Sequence, residues 1–124
     1  MIKTVIKHIN DYYAVSPEYL FESSPDTAVF RNGSTNKWFA VIMCGIKKTK
    51  LGVNSDDSVD IMNLKCDPVF SYAVVDGERI FRAYHMNKQH WISVVLDKNT
   101  DKAMLFDLIE QSYYLIDKRR KNDK

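Results

Sequence analysis

The longest apolar run in this chain constrains its fold more than any other feature. The run Trp38 to Ile46 reads WFAVIMCGI and is less than half as long as the roughly 20 apolar residues of a membrane-spanning helix. Its first part, Trp38 to Met43, is apolar at consecutive positions, which is typical of a strand whose two faces are both buried. The sequence therefore predicts a strand near the middle of a sheet and no membrane span.

Three segments have the pattern of helices. Apolar residues recur at helical spacing from about residue 2 to residue 13. A second helix is predicted to begin at Asp67-Pro68, with the aspartate as its N-cap, and to stop at Gly77 in a left-handed conformation. A third is predicted to extend from a Thr100 cap to about Lys118. Its inner face carries Leu105, Leu108, Ile109, Ser112 and Ile116.

Shorter apolar runs predict the remaining strands. They lie at Ala28–Arg31, Val59–Leu64 and Trp91–Leu96, whereas Ile80 to Arg82 is ambiguous. The polar turn Asn32 to Lys37 contains Asn-Gly and predicts a β-hairpin with the central run. The order α-β-β-β-α-β-α predicts a single compact α+β domain with an antiparallel sheet and helices packed on one face. The other face is then partly open to solvent or to a partner.

Charge is distributed unevenly along the chain. Lysine and arginine number 18 and aspartate and glutamate 16, which gives a formal charge of +2. Residues 119–124 form a basic C-terminal tail after a domain predicted to span residues 1–118. The cations from Lys118 onward suit the negative end of the last helix. The rest of the chain is nearly neutral, which argues against strong non-specific binding to duplex DNA.

The two cysteines, Cys44 and Cys66, give no sign of a metal site or a disulfide framework. Neither belongs to a C-x-x-C pair, and neither has a histidine at metal-ligand spacing. Lys3, Lys7 and His8 interrupt the first apolar residues, so we expect no signal peptide. We expect a cytoplasmic monomer with reduced thiols, no membrane contact, no metal and no cofactor.

Two longer stretches carry a resemblance to a known family. They are Asn63 to Pro68, NLKCDP, and Tyr84 to Trp91, YHMNKQHW. Together with Trp38 to Ile42 and Leu108 to Tyr113, they resemble the MmcQ/YjbR family of small bacterial proteins, over about residues 13–118. The resemblance implies a compact α+β domain similar to the frataxin-like (CyaY-like) topology. It also implies a DNA-binding protein with a "double wing" arrangement, a label that rests on fold analogy.

The chain departs from that family's pattern in one place. Just before the second stretch, Arg82-Ala83 stands where a Pro-Gly type turn is common, which adds a cation beside the motif. The iron binding of frataxins is not carried over, because their acidic first helix corresponds here to a helix with Asp11 as its one acid.

The second stretch combines cations with flat rings, a mixture that can hold phosphates and stack on bases. One basic face would form if Lys47, Lys48 and Lys50 fold beside it. In the structural alternative, His85 and Asn87 hold an irregular loop while Tyr84, Met86 and Trp91 belong to the core. The candidate nucleic-acid or ligand-binding residues are Lys65, Arg82, Tyr84, His85, Asn87, Lys88, His90 and Trp91.

Three functions remain open at this point. The preferred one is DNA binding, and the second is a non-enzymatic module for a protein or a small anionic ligand. The third is an enzyme: a helix N-terminus and Lys65 favour a Cys66 thiolate, which His85 or His90 would complete as a Cys–His pair. In its structural alternative, Cys66 is an inert buried thiol. We expect no enzymatic activity. The carboxylates at Asp56, Asp57 and Asp60 are interpreted as a solvated loop.

Overall fold

The computed structural model of the protein describes residues 1–117. The predicted tail at residues 119–124, like Lys118, lies outside the described residues. A short 3-10 helix at Lys48–Leu51 follows the second strand. Within the described range, no helix has the length and apolar character needed to cross a membrane. The main elements are α1 (Ile2–Tyr13), β1 (Ala28–Arg31), β2 (Trp38–Lys47), β3 (Ser58–Lys65), α2 (Pro68–Val74), β4 (Ile80–Arg82), β5 (Trp91–Leu96) and α3 (Lys102–Leu115).

The five strands form one antiparallel sheet in the order β1-β2-β3-β5-β4. The predicted α+β class and antiparallel sheet are confirmed. The predicted hairpin is the β1–β2 pair, in which Phe30 lies opposite Ala40. The strand β2 has neighbours on both sides, as its apolar faces predict.

One strand was not assigned from the sequence. The ambiguous residues Ile80–Arg82 form β4, which pairs with β5 at the edge of the sheet. Three residues are too few for a periodic pattern to distinguish a strand from a loop. The turn before β4 is held by the Asp76 carboxylate, which accepts the backbone N–H groups of Glu78, Arg79 and Ile80, each at 2.9 Å. The observed element order is therefore α-β-β-β-α-β-β-α.

Two predicted helix ends were wrong. Gly77 is left-handed, with φ 73°, but it lies in the turn before β4, because α2 already ends at Val74. Asp101, not Thr100, caps α3 by accepting the Met104 N–H at 3.2 Å. The Thr100 hydroxyl is used elsewhere, since it donates to the Val95 carbonyl at 3.0 Å. The predicted cap of α2 is confirmed, because the Asp67 side chain accepts the Val69 N–H at 2.9 Å.

The three helices pack on one face of the sheet, as predicted. Alternate residues of the strands, such as Met62 and Leu64 of β3, meet Val5 and Ile9 of α1 in one buried cluster. The helix α3 adds its predicted inner face to this cluster. Its Ser112 hydroxyl donates to the Phe39 carbonyl and accepts the Lys65 N–H, and so links α3 to β2 and β3.

The opposite face, called here the loop face, is also buried. Val29, Val41, Ile61 and Val95 point away from the helices and are at most 3% exposed. Residues 14–27, the first loop, run beside β1, where Glu18 and Val29 exchange two backbone hydrogen bonds of 2.9 Å. Residues 83–90, the second loop, fold back over β3 and β5. The cover of the loop face is therefore partly irregular backbone, and the geometry of that backbone decides what the face can bind.

Candidate functional site

The second loop is fastened to the sheet by two buried polar residues. The Asn63 amide donates to the Tyr84 carbonyl at 3.0 Å, and the Ser93 hydroxyl accepts the Tyr84 N–H at 2.9 Å. Ser93 in turn donates to the Asn63 side chain. Both residues are fully buried, and a buried polar pair requires such partners. This pair was not predicted from the sequence, although its signal was an asparagine between the apolar residues Met62 and Leu64.

His85 directly follows the fastened residue Tyr84, and its side chain is exposed. Its backbone φ is 61°, in the left-handed region that costs an L-residue about 1–2 kcal/mol. Its ring lies against Tyr84, with the centroids 3.9 Å apart. The predicted loop-holding role belongs to Asn87, whose side chain accepts the Gln89 N–H at 2.9 Å. The Lys88 ammonium closes the loop by donating to the Ala83 carbonyl at 2.9 Å.

The start of β5 brings two more predicted residues together. Trp91 and Lys65 are cross-strand partners, and the Lys65 ammonium lies 5.9 Å from the indole centroid. Trp91 is only 8% exposed, so it matches the core alternative and presents little area for stacking on a base. His90 is exposed, and its carbonyl accepts the Cys66 N–H at 2.8 Å.

Arg82 lies on the other face of the sheet. It pairs with Ile92, whose side chain belongs to the helix-covered cluster, and its guanidinium lies 5.7 Å from the Tyr72 ring of α2. Lys65 pairs with Trp91, one position away from Ile92, so the pleat turns its side chain to the loop face. The expectation that these cations share one face was therefore wrong for Arg82.

The loop lysines do not join this group either. Lys47 lies opposite Ser58 at the start of β3, whereas Lys65 is the last residue of that strand. A strand rises about 3.3 Å per residue, so these two positions are separated by roughly 23 Å. Lys48 and Lys50 follow directly in the 3-10 helix at the same remote end. The condition for a single basic face, that these lysines fold beside the second stretch, is therefore not met.

The fold does gather a smaller set of cations at one end of the sheet. Antiparallel strands alternate in direction, so the ends of β1, β3 and β4 lie beside the starts of β2 and β5. Arg31 belongs here with its guanidinium 6.0 Å from the Trp38 centroid, and Glu18 neutralises it through a 2.8 Å ion pair. We call this set the basic end. It consists of Arg31, Lys37, Lys65, Arg82 and Lys88.

The opposite end of the sheet is rich in acids. It carries the carboxylates around the start of β3 and those of the turn before β4, together with Asp97 after β5. The Arg79 guanidinium bonds Asp97 at 2.6 Å and holds the pKa of that carboxyl below its usual value. The acids at this end include Asp26, Asp56, Asp57, Asp60, Asp76, Glu78 and Asp97.

Neither thiol has the electrostatics of an activated nucleophile. Burial raises the pKa of Cys66, although a hydrogen bond with Ser71 acts in the other direction. Burial also raises the pKa of Cys44, and the carboxylates of Asp60 and Asp26 add to the shift. A raised pKa keeps a thiol protonated near neutral pH, which opposes the Cys66 thiolate that the enzyme hypothesis requires. Among residues 1–117, no three His, Cys, Asp or Glu side chains lie close enough together to hold a metal ion.

A cavity of about 300 Å³ lies on the loop face between the two loops. Trp38, Val41 and Met43 of β2 line it from the sheet, Phe21 from the first loop, and His85 with Met86 from the second. Ser23, Ser24 and Thr27 complete the lining. Of these residues, only His85 was predicted from the sequence to be a site residue. The available signal was the run Trp38–Met43, whose second apolar face needed a cover.

Known proteins resemble this chain in both sequence and structure. The YjbR family model matches residues 11–115. The uncharacterized protein YyaQ of Bacillus subtilis (strain 168) is 40% identical over 111 residues, which are 90% of this chain and 93% of YyaQ. A Pseudomonas syringae protein of known crystal structure is 36% identical, with a TM-score of 0.84 over 91% of this chain and 96% of that chain.

A more distant structure shares the fold alone. A Deinococcus radiodurans protein, 22% identical, superimposes with a TM-score of 0.70 over 96% of this chain and 80% of that one. The family match covers both loops and every strand of the sheet. On this match and on the full-length identity to YyaQ, the chain belongs to the YjbR family.

Proposed function

We propose that this protein binds DNA without catalysing a reaction, and that the basic end of the sheet is the contact surface. The observation that carries the proposal is an uneven distribution of charge. Most acids of the sheet lie at one end, where they offset the lysines beside them, whereas Glu18 is the one carboxylate among residues 1–117 that forms an ion pair with a cation of the basic end. A chain that is nearly neutral as a whole can still attract a polyanion through one local cluster of cations. A cytoplasmic location, where DNA is present, is part of this proposal.

The cations available to phosphates are those without carboxylate partners. Among the described residues of the basic end, Lys37, Lys65, Arg82 and Lys88 form no ion pair, whereas Arg31 is neutralised by Glu18. Lysine ammonium groups at these positions can contact phosphate oxygens, which position a protein on DNA without reading its sequence. The exposed imidazole of His90 adds a hydrogen-bonding group beside them. We therefore expect modest affinity with little sequence preference.

The raised pKa of the Cys66 thiol supports the absence of catalysis. The enzyme hypothesis required a Cys66 thiolate, and the pKa of Cys66 is raised by its burial. Its backbone N–H, rather than its sulfur, contacts His90, through the carbonyl of that residue.

The test compares two double variants that remove equal charge at opposite ends of the sheet. Lys65→Gln with Lys88→Gln removes two cations from the basic end, and Lys47→Gln with Lys50→Gln removes two from the acidic end. Fluorescence anisotropy with a labelled duplex at low salt measures the affinity. We expect the first variant to bind about tenfold more weakly and the second to bind like the unaltered protein. Equal losses in both variants, or no duplex binding by the unaltered protein, would contradict the proposal.

A second candidate is a module for a protein or a small anionic ligand at the same end. It is favoured by the small number of unpaired lysines, which suits a single anionic group better than a long polyanion. Titration with inorganic phosphate separates the two candidates, because a site for one anionic group is saturated by free phosphate, whereas a surface that needs several phosphate contacts binds a single phosphate ion only weakly. Saturation by phosphate without any duplex binding would favour the second candidate.

A further inference from the structure

We propose that the cavity on the loop face binds a single neutral planar ring, either a free aromatic heterocycle or an unpaired nucleobase. The proposal does not depend on duplex binding at the basic end, because a free ring can enter the cavity without any phosphate contact. Its volume of about 300 Å³ is at the lower limit of small-molecule sites, which suits one ring system.

The walls of the cavity favour a flat aromatic ligand. Phe21 and Trp38 meet almost at right angles, with an interplanar angle of 87° and a centroid distance of 6.3 Å. A ring placed in this corner would stack on one side chain and present its edge to the other, and both are favourable aromatic geometries. The thioethers of Met43 and Met86 line the same space and make favourable contacts with aromatic rings.

The polar groups of the cavity indicate a neutral ligand with a hydrogen-bonding edge. Among the lining residues, all of which lie in the described chain, none is an acid, a lysine or an arginine. An ionic ligand would therefore find no counter-charge inside. The His85 imidazole and the hydroxyls of Ser23, Ser24 and Thr27 can donate or accept hydrogen bonds. This combination matches an indole, a purine or a pyrimidine.

The backbone of the second loop is fixed on both sides of His85. The buried Asn63–Ser93 pair holds Tyr84 before it, and the Lys88–Ala83 hydrogen bond closes the loop after it, so His85 keeps its left-handed conformation. Residues held in such conformations by their surroundings are concentrated at binding sites. Trp38 also joins the cavity to the basic end, because the Arg31 guanidinium lies over its ring. An unpaired base of single-stranded DNA could thus enter the cavity while its phosphates contact the lysines.

The test titrates the full chain with indole and with adenosine, followed by ¹H–¹⁵N NMR. Cyclohexanol serves as a non-planar control ligand. Phe21→Ala removes an exposed wall of the cavity, and Tyr19→Ala removes an exposed ring of the same loop that does not line it. We expect saturable binding of at least one aromatic probe, weakened about tenfold by Phe21→Ala and unchanged by Tyr19→Ala.

A third variant tests the imidazole while keeping the backbone. His85→Gly accepts the left-handed conformation without strain, so the fold persists while the hydrogen-bonding group is lost. It is expected to bind the aromatic probe more weakly. Binding of adenosine identifies a nucleobase as a source of the ring, whereas binding of indole alone identifies a free heterocycle. The proposal is overturned if neither probe binds saturably or if cyclohexanol binds equally well. It is also overturned if Phe21→Ala and Tyr19→Ala bind the aromatic probe with the same affinity.

Discussion

At the scale of single residues, the chemistry of this protein depends on how each side chain is held. Asn63 and Ser93 use their polar groups to fasten a loop, and His85 is thereby exposed at the rim of a cavity. Cys66 has an electropositive neighbour in sequence, yet its burial raises the pKa of the thiol. Residue type and sequence neighbours alone would have assigned these roles differently.

The surroundings of His8 predict that the stability of the protein depends on pH. Its ring stacks on Phe106 with centroids 3.7 Å apart, and burial lowers the pKa of the imidazole, opposed in part by Asp11. A lowered folded-state pKa means that the unfolded chain binds more protons, so stability rises with pH through this window. His8 lines a cleft between α1 and α3, and the carboxylates of Asp107 and Glu110 line the same cleft.

We expect the unfolding free energy to fall as the pH drops from about 6.5 toward the lowered pKa of His8. His8→Phe keeps an aromatic stack on Phe106 but cannot be protonated, so this part of the pH dependence should disappear. Urea unfolding at a series of pH values measures the effect. An unchanged pH profile in His8→Phe would show that this imidazole does not contribute.

At the scale of elements, the helix α3 is joined to the sheet by a specific bond as well as by apolar packing. The Ser112 hydroxyl lies between two strands and satisfies the Phe39 carbonyl and the Lys65 N–H together. It is fully buried. The hydrogen bond from the Lys65 N–H thus fixes the end of β3 to α3. The Lys65 side chain itself points to the loop face, on the other side of the sheet from α3.

Replacement of Ser112 by alanine would leave both backbone groups without this partner. We expect Ser112→Ala to lower the unfolding free energy by about 1–3 kcal/mol, the usual cost of unsatisfied buried polar groups. Ser58→Ala, an exposed serine at the start of β3, should change it by less than about 0.5 kcal/mol. Urea denaturation measures both values. Equal stability of the two variants would argue against a structural role for this bond.

At the scale of the whole molecule, the antiparallel strand order separates charge along the sheet. Cations at the ends of β1, β3 and β4 lie at one end of the sheet although they are far apart in sequence, whereas most of the acids lie near the other strand ends. The same arrangement moves Lys47, Lys48 and Lys50 away from Lys65. The proposed contact with DNA would therefore lie at one end of the domain.

This polarity predicts how binding responds to salt. Each phosphate contact contributes about −0.9 to the slope of log affinity against log salt concentration. The variant Lys65→Gln with Lys88→Gln should therefore show a slope about 1.8 less steep than the unaltered protein, whatever the contribution of other cations. Anisotropy titrations at several salt concentrations measure it. The same slope in both would indicate that these lysines do not contact phosphate.

The sequence by itself determined the local elements, since helical and strand periodicity depend only on neighbouring residues. It predicted α1, the β1–β2 hairpin, the Asp67 cap and the inner face of α3, and the order of the elements predicted the α+β class, in agreement with the family resemblance. It missed β4, which is too short to be periodic, and it placed the α3 cap one residue too early. Which distant side chains meet was decided only by the tertiary structure. The direction and pleat of each strand put Lys65 beside Trp91 and Arg82 on the other face, and brought Phe21 to Trp38, because such contacts depend on strand order rather than on sequence spacing.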